Sequence, residues 1–198
     1  MQVDAPSSST YVNIFSTEKA FAALKADGSI TAWGNNRHGG YGEPTDNGYV
    51  TISSTNSVFA ALKADGSIYG WGDIDYATTT IRGRSNAPTG NGYTEIFANN
   101  YAFAALKADG SITVWGDSDN GGSGAPTDNG YVTIYSTKKR LGVGGFAFAA
   151  LKADGSITAW GDPNKGGSGA PTDNGYVTIS STAEAFAALK DDGSITAW

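Results

Sequence analysis

With 198 residues, the chain is long enough for one domain with a full hydrophobic core, and nothing in its composition suggests a second domain. The formal net charge is -6, from 13 Lys and Arg against 19 Asp and Glu, so a nucleic-acid partner would meet net repulsion and none is predicted. The absence of Cys excludes a disulfide framework, and the single His excludes a metal site that needs two imidazoles.

The amino-terminal residues lack the basic flank and the apolar run of a signal peptide. No apolar stretch approaches the length of a membrane span, so membrane insertion is not predicted either. The richness in Gly, Ser, Thr and Asn favours a secreted or cell-surface location, as part of a larger bacterial protein.

An internal repeat is the strongest signal in the sequence. The string Phe-Ala-Ala-Leu-Lys-x-Asp-Gly-Ser-Ile-x-x-Trp occurs five times, and a Tyr with a short β-branched run precedes each copy. The five copies end at Trp33, Trp71, Trp115, Trp160 and Trp198. The basic period is 38 residues, with six extra residues between Trp71 and Tyr93 and seven between Ile134 and Phe148.

Each unit reads as three short strands in chain order. The Tyr-led run and the Phe-Ala-Ala-Leu run are rich in β-formers, and an Asp-Gly turn joins the second to the Trp-ending run. Helix is disfavoured because Gly or Pro interrupts every window. The Gly-rich connector after each Trp is expected to return to the next unit as a fourth strand.

Both faces of the Trp-ending strand carry large apolar residues, so each sheet is expected to be covered on both sides, with the Trp residues as structural anchors. Short sheets of this kind, repeated at about 40 residues, are typical of a β-propeller. The sequence therefore predicts an all-β, single five-bladed β-propeller domain. Its repeats are approximately 5–42, 43–86, 87–124, 125–169 and 170–198, the last completed by 1–4, so that pairing of the N- and C-terminal segments closes the propeller.

The pattern Ala-Leu-x-x-Asp-Gly-x-Ile-x-x-Trp-Gly, as at residues 23–34, resembles the repeat of the regulator of chromosome condensation family. The following Gly-Gly-Tyr-Gly at 39–42 is similar to that family's closing Gly-x-x-Gly. The match departs where the family usually has a His, which here is Ala20 or its equivalent, and the best-known members have more and longer repeats. The short repeats look like those of bacterial members, one of which inhibits β-lactamase. The resemblance thus implies a propeller fold and, by analogy, a protein-binding role.

Residues for catalysis are scarce, so no enzyme and no cofactor are predicted. His38 has no Ser or Asp pattern nearby and is interpreted as a surface loop residue. The segment Asp117-Ser118-Asp119-Asn120-Gly121 superficially suggests a calcium loop, yet it lacks the full spacing and the terminal Glu. Turn formation explains it better, and no metal site is predicted.

Alternating strand direction places the repeated Asp-Gly turns and Asp-Asn-Gly turns on one rim and the variable loops on the other. Both insertions fall on the variable rim. They carry a cationic group on an acidic protein, which is the candidate partner-binding site: Tyr76, Arg82, Arg84, Lys138, Lys139 and Arg140. Loops held on a rigid scaffold are where binding usually resides. Drift in unconstrained loops is the alternative explanation of their variability.

Three functions agree with this sequence. The leading one is a non-enzymatic scaffold that binds a protein partner through the variable rim. The second is a carbohydrate-binding lectin with one shallow site per repeat, which requires the repeated Tyr or Trp to be exposed. The third is a structural spacer within a larger surface protein.

Neutralising the cationic insertion by changing Lys138, Lys139 and Arg140 to Gln should leave the fold intact, because four of the five units lack this insertion. Thermal unfolding of the triple variant should match that of the unchanged chain. A large fall in stability would mean that the insertion belongs to the core. Once a partner is known, the affinity of the variant for that partner should decrease, and the binding should depend less on the salt concentration.

Overall fold

A computed structural model describes residues 10–75, 80–81, 86–137 and 145–198. Its strands, in chain order, are β1 (Tyr11–Ser16), β2 (Ala20–Lys25), β3 (Ile30–Gly34), β4 (Tyr49–Ser54), β5 (Val58–Lys63), β6 (Ile68–Gly72), β7 (Ile74–Asp75), β8 (Thr80–Ile81), β9 (Tyr93–Ala98), β10 (Ala102–Lys107), β11 (Ile112–Gly116), β12 (Tyr131–Ser136), β13 (Ala147–Lys152), β14 (Ile157–Gly161), β15 (Tyr176–Ser181), β16 (Phe186–Lys190) and β17 (Ile195–Ala197). The prediction of an all-β chain is confirmed.

Each repeat forms one three-stranded antiparallel sheet with the Phe-Ala-Ala-Leu strand in the middle. The first strand of four of the five sheets shows a register shift after its Tyr, as between Tyr49 and Thr51 in β4. A bulge of this kind bends the strand locally and leaves one residue out of the ladder. The three predicted strands of each unit are therefore present.

The chain divides into two compact units, Met1–Ile96 and Phe97–Trp198. In the first unit, sheet β1–β3 packs face to face on sheet β4–β6. In the second, sheet β12–β14 packs on strands β10 and β11 and on sheet β15–β17. The predicted closure depends on the amino-terminal segment, and residues 1–9 lie outside the described ones, so closure stays a prediction.

The two faces of a middle strand can pack against two different neighbouring sheets, as those of β13 do. In β2, the small side chains of Ala20 and Ala22 and the side chain of Leu24 share one core with Phe59 and Trp71 of the next sheet. In β13, the same alternation sends Phe148 to one core and Ala147 to another. Small residues on one face and a Phe on the other let neighbouring sheets interdigitate at the density of a protein interior.

The Trp side chains pack beside the middle strands. In every sheet the Trp ring stacks on the Phe of the middle strand, with ring centroids 5.0–5.5 Å apart. Trp71, Trp115 and Trp160 are buried, whereas Trp33 and Trp198 are half-buried. The burial of the Trp ring is therefore greatest in the three middle sheets.

The Asp-Gly turn of one sheet is bonded directly to the first strand of the next. The carbonyl of Gly28 accepts a hydrogen bond from the backbone N–H of Tyr49 at 3.1 Å, and the equivalent bonds start at Gly66, Gly110 and Gly155. A Cβ atom on Gly28 would lie 2.6 Å from the nitrogen of Gly48, and its φ is +79°. Only Gly satisfies both the backbone conformation and the close approach.

The described Gly-rich connectors differ from the expectation of a fourth strand. They contain short 3-10 turns at Asn36–His38 and Ser118–Asn120, and their only described strands are β7 and β8, which pair with each other. The reason is local, because the side chain of Asn35 or Asp117 caps the turn and a Gly in the left-handed region ends it. Each blade therefore has three strands.

The Gly that ends the turn also lies against the Phe-Trp stack of the next sheet. A Cβ on Gly121 would lie 2.7 Å from the ring of Phe148. The carbonyl of the same residue accepts the indole N–H of Trp160 at 3.1 Å. Gly39 and Gly166 occupy the same position beneath Phe59 and Phe186.

Gly121→Ala should destabilise the chain more than Gly124→Ala, which serves as the matched control. Both glycines have a positive φ, but a Cβ at Gly124 meets no atom within 4 Å. We expect about 1–2 kcal/mol of backbone strain in either variant and a further loss of about 1–3 kcal/mol from overpacking in Gly121→Ala alone. Urea unfolding midpoints measure the difference. Equal losses in the two variants would contradict the tight packing of Gly121 on Phe148.

Candidate functional site: the variable rim

The two ends of the sheets differ in chemistry. The hairpin rim is the end with the Asp-Gly turns, and the variable rim is the end with the loops between the first and second strands. The bonds between each Asp-Gly turn and the following Gly-Tyr confirm that the two kinds of repeated turn share the hairpin rim. On the variable rim, each connector begins against a loop, as where the N–H of Asp117 donates to the carbonyl of Tyr101 at 3.1 Å.

The polar groups of the hairpin rim are largely bonded to one another. Each Asp of an Asp-Gly turn accepts hydrogen bonds from the backbone N–H and the hydroxyl of the Ser two residues later. These bonds hold the pKa of all five carboxyls below the ordinary value. The carboxylates thus act as turn caps, each through its Oδ1 atom.

A Lys-Asp-Tyr cluster repeats on the same rim in three sheets. In one of them, the ammonium of Lys152 lies 2.5 Å from the carboxylate of Asp128 and 4.8 Å from the ring centre of Tyr131, and the Tyr131 hydroxyl donates to Asp128. The others are Lys63 with Asp46 and Tyr49, and Lys190 with Asp173 and Tyr176. Their side chains remain partly exposed, as expected of a solvated hairpin end, and such pairs contribute little to stability.

Each loop of the variable rim begins with a Thr or Asn that fixes its shape. The backbone N–H of Asn99 donates to the carbonyl of Ala102, while its side-chain oxygen accepts from the backbone N–H groups of Tyr101 and Ala102. Thr137 does the same at the base of the longest loop, where its buried hydroxyl accepts from the N–H groups of Phe146 and Ala147. The described ends of these loops are therefore rigidly attached to the sheets.

In the second unit, backbone bonds join three consecutive loops of this rim. The N–H of Asn100 donates to the carbonyl of Gly145 at 3.2 Å, and the N–H of Gly145 donates to the carbonyl of Ala183 at 3.3 Å. Gly145 has a φ of +78°, and a Cβ there would lie 3.0 Å from Asn100. The described residues of the loops that precede β10, β13 and β16 are thus joined to one another.

An aromatic pair lies on this surface. The rings of Tyr101 and Phe146 stack with centroids 5.7 Å apart and planes 15° from parallel. Tyr101 is 39% exposed, and Phe146 is half-buried. An ion pair between Lys165 and Glu184, 2.6 Å apart, lies on the neighbouring loop and connector. Stacked aromatics with an exposed edge, on loops fixed from below, are suited to contact with another protein.

The cationic site predicted from the sequence cannot be compared with the structure. Tyr76, Arg82, Arg84, Lys138, Lys139 and Arg140 all lie outside the described residues. The adjoining aromatic pair was missed, although the repeat carries a signal for it. The residue two positions before the repeated Phe is Lys19, Ser57, Tyr101, Phe146 or Glu184 in successive repeats, so two consecutive repeats place an aromatic at one position.

The calcium-loop segment and the repeated sugar sites considered from the sequence have little support among the described residues. Asp117 caps the turn at Ser118–Asn120 through its carboxylate, in agreement with the turn interpretation. Within the part of the chain that the structure describes, no three metal-ligating side chains lie together. The repeated Tyr49, Tyr93, Tyr131 and Tyr176 are buried like the middle Trp residues, so these four positions offer no exposed ring for a series of shallow sugar sites.

Solved structures identify the fold. The sequence matches no protein-family model, and no curated protein matches it. By structure, the chain is similar to the CRINKLY WD40 ectodomain of the receptor kinase ACR4 from Arabidopsis thaliana, with a TM-score of 0.59 at 17% identity over 95% of this chain and 63% of that one. It is also similar to Prp20p from Saccharomyces cerevisiae, described with its binding properties to Gsp1p and histones, with a TM-score of 0.59 at 16% identity over 94% and 56%.

A further match is yeast RCC1 (Prp20) with Kap60 bound, at a TM-score of 0.59 and 16% identity over 94% of this chain and 55% of that one. These likenesses show a β-propeller repeat fold. The chain spans a little over half the length of the structures it matches. Among the described residues, no helix is long and apolar enough to cross a membrane.

Lys152→Met should raise the pKa of Asp128, because the hydrogen bond from Lys152 is the main cause of its lowered value. A lowered folded-state pKa stabilises the fold above the ordinary carboxyl pKa, and this contribution is lost as the pH falls through the folded-state value. The variant should therefore lose slightly less stability on acidification. NMR titration of the Asp128 carboxyl measures the pKa. Lys63→Met is the control, since it should raise the pKa of Asp46 and leave that of Asp128 unchanged.

Proposed function

We propose that this chain is a non-enzymatic scaffold of the regulator-of-chromosome-condensation type, which binds a protein partner through the variable rim of its second unit. The observation that carries the proposal is the stacked pair of Tyr101 and Phe146, held on loops that backbone hydrogen bonds join into one surface. Energetically dominant interface residues are often aromatic, and rigid loops lose little conformational entropy when they bind.

The difference between the rims supports this assignment. The hairpin rim uses its carboxylates, lysines and turn carbonyls in bonds within and between sheets. The variable rim exposes Tyr101, Asp119 and Glu184, and the residue types at these positions differ from one repeat to the next. A surface that varies while its scaffold repeats is a better site for selecting a partner than one whose polar groups are already paired.

The structural neighbours agree with a scaffold role in general terms. Prp20 has reported binding to Gsp1p and histones, and a structure contains it together with Kap60. At 16% identity these partners do not transfer to this chain. The acidic net charge of -6 further disfavours chromatin as the target.

Site-specific crosslinking tests the proposal. The photoreactive amino acid p-benzoylphenylalanine in place of Asp119, which is exposed on the variable rim, should capture a defined protein from the source cells or their surroundings. The same amino acid in place of Ala153, which is exposed on the hairpin rim of the same unit, should not. Equal capture at both positions, or no capture at Asp119, would contradict the proposed surface.

Tyr101→Ala should lower the affinity for the captured partner about tenfold, the effect of losing roughly 1.4 kcal/mol at a central aromatic contact. Tyr41→Ala is the matched control, because Tyr41 is 65% exposed and belongs to the first unit. Calorimetric titration gives both affinities, and thermal unfolding checks that both variants remain folded. A partner that binds the two variants equally well would exclude Tyr101 from the interface.

A further inference from the structure

The first strands of three consecutive sheets enclose a cleft in the second unit. Its volume is about 370 Å³, within the range of small-ligand sites. The lining comes from the ends of β9, β12 and β15: Phe97, Ala98, Ile134, Tyr135, Ser136, Ile179, Ser180 and Ser181. We call it the first-strand cleft.

Hydroxyl groups hold the three strands of the cleft together. The hydroxyl of Ser136 donates to the carbonyl of Ala98 at 3.1 Å, and that of Ser181 donates to the carbonyl of Ser136 at 2.8 Å. Ile134 and Ile179 close the floor and are almost fully buried. The cleft is therefore a preformed feature of the sheets.

Two aromatic side chains and two hydroxyls give the cleft its chemistry. Phe97 and Tyr135 are half-buried and pack against the cores beneath them. The hydroxyls of Tyr135 and Ser180 make no hydrogen bond to any described residue, in contrast to those of Ser136 and Ser181. The lining contains no Asp, Glu, Lys, Arg or His. An uncharged ligand with an apolar face and a polar edge complements such a surface.

The first unit lacks an equivalent combination. Its corresponding first-strand positions are Phe15 in β1 and Ser53 in β4, so only one aromatic is present. The hydroxyl of Ser53 donates to the carbonyl of Ile96 at 2.8 Å. The second aromatic and the unpaired hydroxyls therefore belong to the second unit alone.

The cleft opens beside the candidate interface. Ala98, Ser136 and Ser181, the last residues of β9, β12 and β15, lead directly into the loops that carry Tyr101, Phe146 and Glu184. A protein bound on those loops has the cleft within reach of a side chain. A concave pocket with an aromatic lining, beside exposed aromatics, is suited to receive an anchoring residue at a protein interface.

We propose that the first-strand cleft accepts one uncharged aromatic side chain, Trp or Tyr, of the protein partner. This inference rests on the proposed function and adds the chemistry of the contact. The planar ring packs between Phe97 and Tyr135, while its indole N–H or phenol O–H bonds to the hydroxyl of Tyr135 or Ser180. A Lys, Arg, Asp or Glu side chain would lose hydration without gaining an opposite charge.

The probe for this site is N-acetyl-L-tryptophanamide, an uncharged analogue of a Trp residue. Added at millimolar concentration to the full chain labelled with ¹⁵N, it should shift the backbone amide resonances of Ala98, Ser136 and Ser181. N-acetyl-L-lysinamide and methyl α-D-glucopyranoside, used in the same way, should shift them at least fivefold less. Larger shifts with the lysine amide would overturn the proposal, and larger shifts with the sugar would indicate a carbohydrate site instead.

Two substitutions at the cleft separate ligand binding from stability. Ser180→Trp should fill the cleft and abolish the shifts, and Ser180 is exposed, so the core remains intact. Val177→Trp is the matched control on the same strand, because Val177 is 51% exposed and does not line the cleft. Tyr135→Phe removes only a hydroxyl and should weaken binding about fivefold, the effect of losing one hydrogen bond. Shifts that persist in Ser180→Trp would overturn the proposal.

The partner captured by crosslinking separates this inference from the proposed function. Ser180→Trp should reduce its affinity at least tenfold, and Val177→Trp should leave it unchanged. A partner that is lost in Tyr101→Ala yet binds Ser180→Trp normally would overturn the anchor and leave the proposed function standing. Binding of the tryptophan amide without any captured partner would overturn the proposed function and, with it, the assignment of the anchor to a protein.

Discussion

The close approach of neighbouring sheets is the constraint on which the rest of the structure depends. Within each unit, a stacked Phe and Trp pack against the small Ala side chains of the preceding sheet, as Phe59 and Trp71 do on Ala20 and Ala22, and a connector Gly lies beneath the Phe ring. Burying an aromatic of about 150–250 Å² contributes roughly 4–6 kcal/mol before conformational entropy is counted. The Phe and Trp rings gain this stabilisation only when both of their faces are in contact with other atoms. This explains why Ala residues dominate the middle strands and why Gly appears where a Cβ would meet the Phe ring.

This packing also explains why the two rims differ. The carbonyls of each Asp-Gly turn accept hydrogen bonds from the backbone N–H groups at the start of the next sheet. The hairpin rim is therefore part of the interface between sheets and has little freedom to change. The loops at the other end need only a Thr or Asn to fix their base. Beyond that residue they can vary in sequence and length without disturbing the cores, and Tyr101 and Phe146 occupy such positions.

The proposed interface and the first-strand cleft follow from the same arrangement. The first strands carry Tyr and Ile residues that are buried between sheets, whereas Phe97 and Tyr135, next to the ends of β9 and β12, are only half-buried. Phe97 and Tyr135 can therefore line a cleft beside the variable loops. An aromatic pair and an uncharged cleft, next to each other on a rigid support, form a surface suited to a partner with an aromatic anchor.

The fold was determined largely by the sequence itself, because the repeated Phe-Ala-Ala-Leu, Asp-Gly and Trp positions impose strand length, turn and packing within each unit. The connectors were wrongly expected to form a fourth strand, since a side-chain cap from Asn35 or Asp117 and a left-handed Gly favour a local turn over pairing with a distant strand. Only the tertiary structure brought Tyr101 beside Phe146 and Phe97 beside Tyr135 in the cleft. Residues that lie more than thirty positions apart in the chain meet there. The reason is that the sheets of the second unit pack in chain order, which aligns equivalent positions of successive repeats.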